Sequence, residues 1–164
     1  MKLFNSFLFL ILFFSIIKVQ ASDIEIPPEL ISAIIKIESN NNPNAISPQG
    51  CIGLMQINPK GALKEFNEQH KCSGDKNWRC EFKWIESGSL FNAKINVHIG
   101  TWYLNRLANH YLKDKYTIER LLCAWNGGIT RLRKLNYDCS RMPRESREFS
   151  RKVLRLYEKS LRDL

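Results

Sequence analysis

Glu38 stands at the end of an apolar helical pattern, seven residues after Ile31 with Ile34 and Ile35 between them. That spacing places all four side chains on one side of a helix. A carboxyl on a buried stripe, near the negative end of the helix dipole, resists ionisation. A general acid working near neutral pH requires that property. A solvent-facing Glu before the helix-ending run Asn40–Pro43 is the alternative that this helix by itself leaves open. Acid–base chemistry often pairs two carboxylates whose surroundings set their pKa values apart. No Asp or Glu stands between Ser39 and Met55, and Glu65, Glu68 and Asp75 fall in segments that read as solvated surface.

Further polar residues and glycines recur in short groups along the chain. Asn44-Ala45-x-Ser47-x-x-Gly50 and Gly53-Leu54-Met55-Gln56 follow Glu38-Ser39. Asn96-Val97-x-x-Gly100-x-x-Tyr103-Leu104, then Ala124-Trp125-Asn126-Gly127-Gly128, then Glu145-Ser146-Arg147-x-Phe149-x-x-x-Val153 come later. In this order they resemble the soluble lytic transglycosylase (SLT) domain, the peptidoglycan-cleaving branch of the lysozyme-like superfamily. The resemblance runs from about Pro27 to about Tyr157.

The resemblance implies that Glu38 protonates the bond between N-acetylmuramic acid and N-acetylglucosamine. The ionised Glu38 would then take the proton of the C6 hydroxyl, which closes onto C1 and leaves a 1,6-anhydro sugar. The substrate's N-acetyl group would stand in for the second carboxylate. By the same resemblance, Ser47 would hydrogen-bond near the acid and the sugar. Gly50 and Gly53 would admit close backbone approach to the groove, and Met55 would line it, with plain core filling as the alternative. Gln56 would contact the sugar or hold the loop after Glu38, and Asn126 would point into the groove. Asn96, polar on an apolar face, reads as a buried structural hydrogen-bonding residue, and Glu145 as a helix-dipole partner. Two positions depart from the family pattern: Trp125 and Phe149 stand where it has Tyr, each keeping a ring and losing a hydroxyl. Trp125 retains an N–H and a flat face suited to stacking on sugar.

The elements that must position these groups are helical. Pro27-Pro28 opens the first helix, and Asn40-Asn41-Asn42-Pro43 ends it. A short helix is expected through Met55 and another near 61–68. Residues 70–92 read as irregular and carry Cys72, Cys80, Trp78 and Trp84. A helix over about 93–112 aligns Asn96, Gly100, Tyr103 and Leu107. A shorter one presents Ile118, Leu121, Leu122 and Trp125, broken by Gly127-Gly128. The last begins near Pro143 and buries Phe149, Val153 and Leu156. No segment alternates as a long strand, so the fold class is mainly α: a lysozyme-like, SLT-type helical domain with a substrate groove.

Lys2, the apolar run Leu3–Ile17 and the small residues Val19-Gln20-Ala21 read as a signal peptide over 1–21, leaving 22–164 as one catalytic domain. Fifteen apolar residues are too few to span a bilayer comfortably; retention as an uncleaved anchor is the alternative. The expected location is periplasmic or secreted. The chain carries net charge +9, which favours an anionic partner. Nucleic acid, an anionic membrane and an anionic wall polymer all fit that charge; export disfavours nucleic acid, and the resemblance makes peptidoglycan the expected partner. Cys51, Cys72, Cys80, Cys123 and Cys139 are an odd number in an oxidising compartment, so disulfides are expected with one thiol over. Cys72 and Cys80 flank a loop that a local bridge could tie. Cys51 and Cys123 also fit as small buried residues. No metal or cofactor is expected, since His70, His98 and His110 are scattered. Secretion, conjugation or pilus machinery is the expected class of protein partner, with wall turnover and phage lysis open beside it, and a monomer is expected. A muramidase that adds water and a catalytically weak wall-binding module are the rival functions.

Overall fold

The computed structural model describes residues 23–71 and 84–163. The signal-peptide reading, and Cys72, Trp78 and Cys80, lie outside these residues. Six α-helices carry the architecture: α1 (Pro28–Ser39), α2 (Lys64–His70), α3 (Ala93–Arg106), α4 (Ile118–Gly127), α5 (Ile129–Lys134) and α6 (Arg144–Arg162). α6 packs against both α1 and α4, and α5 folds back on α4. Among the described residues there is no strand, only isolated bridges joining Ile46 to Ile52 and Ile52 to Ile57. No helix among them is long and apolar enough to cross a membrane.

Local chemistry sets the ends of the helices. Pro28 occupies the first turn of α1, where its missing N–H costs nothing. Asn40 closes α1 in the left-handed conformation, its N–H reaching Lys36 O at 3.2 Å. Asn92 caps α3 by accepting from the N–H groups of Lys94 and Ile95, and Thr117 caps α4 by accepting from Arg120 N–H. Leu30, Ala33 and Ile34 of α1 are buried with Leu104, Leu121, Leu122, Leu132 and Val153 in one core.

Three sequence expectations change. The segment through Met55 is not a helix: it is a turn-rich loop closed by the two bridges, since Gly50, Gly53 and Gln56 all take positive φ. The long helix over 93–112 is α-helical only to Arg106 and widens to a π-helical turn over Leu107–Leu112. α5 was not foreseen, because six residues directly after the Gly127-Gly128 break carry too little periodicity to announce a helix. The described residues 84–92 contain a 3-10 helix, Ser87–Phe91, and are tied to α2 where Asn67 exchanges hydrogen bonds with both backbone groups of Ile85.

Candidate active site

Glu38 lies one turn beyond Ile34, at the edge of the buried face of α1 rather than at its centre. Trp125, in the last turn of α4, donates its Nε1–H to Glu38 Oε1 at 2.8 Å. The two residues are 87 positions apart in sequence. Burial is the main influence on the carboxyl and raises its pKa from the ordinary 4.5 to about 7. The Trp125 hydrogen bond opposes that rise, and the negative charge of Glu145 adds to it. A carboxyl so placed is poised to give up a proton near neutrality and to take one back.

Glu145 reaches this neighbourhood because α6 begins beside the end of α4. A Cβ on Gly127 would collide with Met142 Cε and would lie 2.6 Å from Ser146 Oγ, so a larger residue there would force these side chains to shift. Glu145, exposed in the first turn of α6, is thus near enough for its charge to act on Glu38. Sequence reasoning favoured a dipole partner for Glu145 over a direct role. The missing signal was the contact between α1 and α6, which spacing along the chain does not show.

The loop 44–57 is held by side chains that the sequence singled out, in roles that differ from the expectation for some. Asn96, fully buried, accepts from Met55 N–H at 2.8 Å and donates to Ile52 O and Leu90 O at 2.8 and 2.9 Å. Both N–H donors and the carbonyl oxygen of its amide are thereby engaged by the backbone. Gly53, at φ 79°, leaves no room for a Cβ against Asn96 Nδ2 and Leu90 O. Its lack of a side chain therefore serves the Asn96 clasp, not an open groove. Gln56 donates to Ala45 O and Gly53 O at 3.1 and 2.9 Å, which ties the loop across itself. Ser47 Oγ accepts from Cys51 N–H at 3.0 Å inside the same loop.

Met55 corrects an expectation. Its side chain is 0% exposed and packs against Gly100, so it fills the core beneath the loop instead of lining a groove. Asn126 is half-buried in the last turn of α4 beside Trp125. Phe149, at the other departure from the family pattern, is buried within the core.

Aromatic side chains continue from the acid along one flank. The Tyr103 ring lies 5.9 Å from that of Trp125, and Trp102 is 6.4 Å from Tyr103. Beyond Tyr103 opens a recess of about 420 Å³ lined by Lys60, Lys64, Glu65, Arg106 and Tyr111. Glu65 anchors its wall, accepting from Tyr111 Oη at 2.6 Å and pairing with Arg106. Burial, with the nearby Glu65 charge, pushes the Tyr103 phenol up to about 12, so it remains a neutral hydroxyl donor. The flat faces and fixed donors along this flank suit a carbohydrate chain.

The family model described as Transglycosylase SLT domain matches residues 15–143. Membrane-bound lytic murein transglycosylase E of Buchnera aphidicola subsp. Baizongia pistaciae is 36% identical over 113 residues, 69% of this chain and 49% of that one. Endo-type membrane-bound lytic murein transglycosylase A of Cronobacter sakazakii is 35% identical over 88 residues, 54% of this chain and 39% of that one. The crystal structure of the 70-kDa soluble lytic transglycosylase of Escherichia coli superposes with a TM-score of 0.61 at 29% identity, over 81% of this chain and 21% of that one. The chain therefore spans half or less of the length of these curated relatives, and about a fifth of the solved enzyme.

Proposed function

The chain belongs to the transglycosylase SLT domain family, and on that premise we propose that it cleaves the β-1,4 bond between N-acetylmuramic acid and N-acetylglucosamine in peptidoglycan. The observation that carries the reading is the half-buried Glu38 carboxyl, kept protonated to near neutrality and oriented by Trp125 Nε1–H. Trp125 occupies Oε1, so the transferable proton belongs on Oε2. Glu38 gives that proton to the glycosidic oxygen as the bond to C1 breaks. The carboxylate left behind takes the proton of the C6 hydroxyl, whose oxygen attacks C1 and closes 1,6-anhydromuramic acid. No water is consumed, and Glu38 ends protonated as it began.

Trp125 supplies the N–H that orients the acid, so the hydroxyl absent at this position leaves no vacancy beside Glu38. That restores a complete acid–base unit and argues against a wall-binding module without catalysis. A second reading rests on Glu145. A carboxylate whose charge is felt at Glu38 could serve as the base that a water-adding muramidase needs. Under the main reading Glu145 acts only by keeping Glu38 protonated. We further propose export after cleavage near Ala21, giving a mature N-terminus at Ser22, and local opening of the wall for an envelope-spanning assembly.

Digestion of purified cell walls separates these readings. Muropeptides ending in 1,6-anhydromuramic acid, lighter by one water than muramidase products, are expected. Glu38→Gln is expected to lower the rate by at least ~10²-fold, since Gln can neither give nor take the proton. Reducing ends that accept borohydride would move the chain to the muramidase class. Undiminished lysis by Glu38→Gln would remove the assignment altogether.

A further inference from the structure

Cys123 and Cys139 are both buried, with exposures of 1% and 8%. Cys123 lies on α4, two residues before Trp125. Cys139 opens the 3-10 turn Cys139–Arg141 that leads into α6. Cys139 Sγ lies 3.7 Å from Glu119 O, the carbonyl one helical turn before Cys123 on α4. That contact sets the Cys139 thiol beside the stretch of α4 that carries Cys123, and both are free thiols in this structure. Each perturbs the other, Cys123 being drawn below the ordinary thiol value and Cys139 pushed well above it. Cys51 is committed elsewhere, on a loop where its backbone N–H and C=O both bond Ser47.

We propose that Cys123 and Cys139 are oxidised to a disulfide as the chain folds, stapling α4 to the turn that starts α6. The proposal rests on the export reading, because only an oxidising compartment keeps such a bond. One thiolate of the pair attacks an external disulfide, forming a mixed disulfide and expelling one thiol. The second then attacks that mixed disulfide, forming Cys123–Cys139 and expelling the other thiol. The two electrons and two protons of the pair end on the external disulfide, which leaves as two thiols. Because neither sulfur is open to solvent in the folded chain, the exchange belongs to folding or to a local opening.

The staple has a consequence for the site. Trp125 lies in the last turn of α4 and Glu145 in the first turn of α6, so the bond fixes the spacing between two groups that modulate the burial-raised pKa of Glu38. It also closes a loop of sixteen positions, long enough for the constraint on the unfolded chain to be substantial.

Refolding the reduced, denatured full-length chain in a glutathione redox buffer, with alkylation, digestion and mass spectrometry, tests this directly. A Cys123–Cys139 crosslinked peptide is expected, with a melting temperature about 6–12 °C above that of the reduced chain. A chain carrying Cys51→Ala, Cys72→Ala and Cys80→Ala should keep that shift. One carrying Cys123→Ala and Cys139→Ala should lose the part of the reductant response that the triple variant keeps. Separate alkylation of Cys123 and Cys139 after oxidative refolding, or pairing of either with Cys51, Cys72 or Cys80, would overturn the proposal. The measurement needs neither export nor wall lysis. A chain inert on walls leaves it intact, and a failed crosslink leaves the lytic reading standing.

Discussion

At the scale of single residues, Glu38 is governed by two opposed influences, and burial wins. Water withdrawn from the carboxyl raises its pKa to about 7, while the Trp125 N–H, which stabilises the anion, holds it from rising further. The alkaline limb of the pH–rate profile should therefore fall near pH 7, far above a free Glu at ~4.3. Trp125→Phe keeps the ring and removes the donor, so the limb should move to higher pH while kcat falls from lost orientation. Glu145→Gln removes a negative charge beside the acid, so the limb should move to lower pH. Opposite displacements in kcat/KM profiles of the two variants are the expected result. A Glu145→Gln variant that loses all lysis at every pH would instead assign Glu145 a chemical step.

At the scale of elements, the loop 44–57 has little regular structure and is held by one buried amide. Asn96 reaches from α3 to Met55 N, Ile52 O and Leu90 O, which brings the loop, α3 and the 3-10 helix at Ser87–Phe91 to a single point. Asn96→Ala would strip the side-chain partner from Met55 N–H and Leu90 O, while Ile52 O keeps the Ile57 N–H, a loss of about 3 kcal/mol. Denaturant unfolding should record that loss. Asn96→Asp should also destabilise, because a carboxylate can accept from Met55 N–H but cannot donate to either carbonyl.

At the scale of the whole molecule, the acid that the proposed chemistry needs is a weakness of the fold. The folded pKa of Glu38 lies above its unfolded value, so the native state holds the proton more tightly. The contribution of Glu38 to stability should be fully present below about pH 4.5 and be lost as pH rises toward 7, by at most about 3 kcal/mol. Glu38→Gln abolishes this titration. It should match the wild type at pH 4 and exceed it at pH 8, in chemical unfolding curves taken at both. Much of this architecture was legible in order along the chain: Pro28 and Asn40 bound α1, Gly127-Gly128 stops α4, and Pro143 precedes α6, because caps and breakers act on their own backbone within a turn. Glu38 was likewise marked by apolar neighbours at helical spacing, and Asn96 by its place on an apolar face. Other features required the folded chain. Met55 proved to be core because Gly100 opens a hole one helix away. Trp125 meets Glu38 across 87 residues, and Glu145 joins them because α6 begins beside the end of α4, at Gly127. Local pattern determines what each segment will form, since its forces act within a few residues. Which groups share the low-dielectric space around one carboxyl depends on how helices pack, and only the tertiary structure decided that.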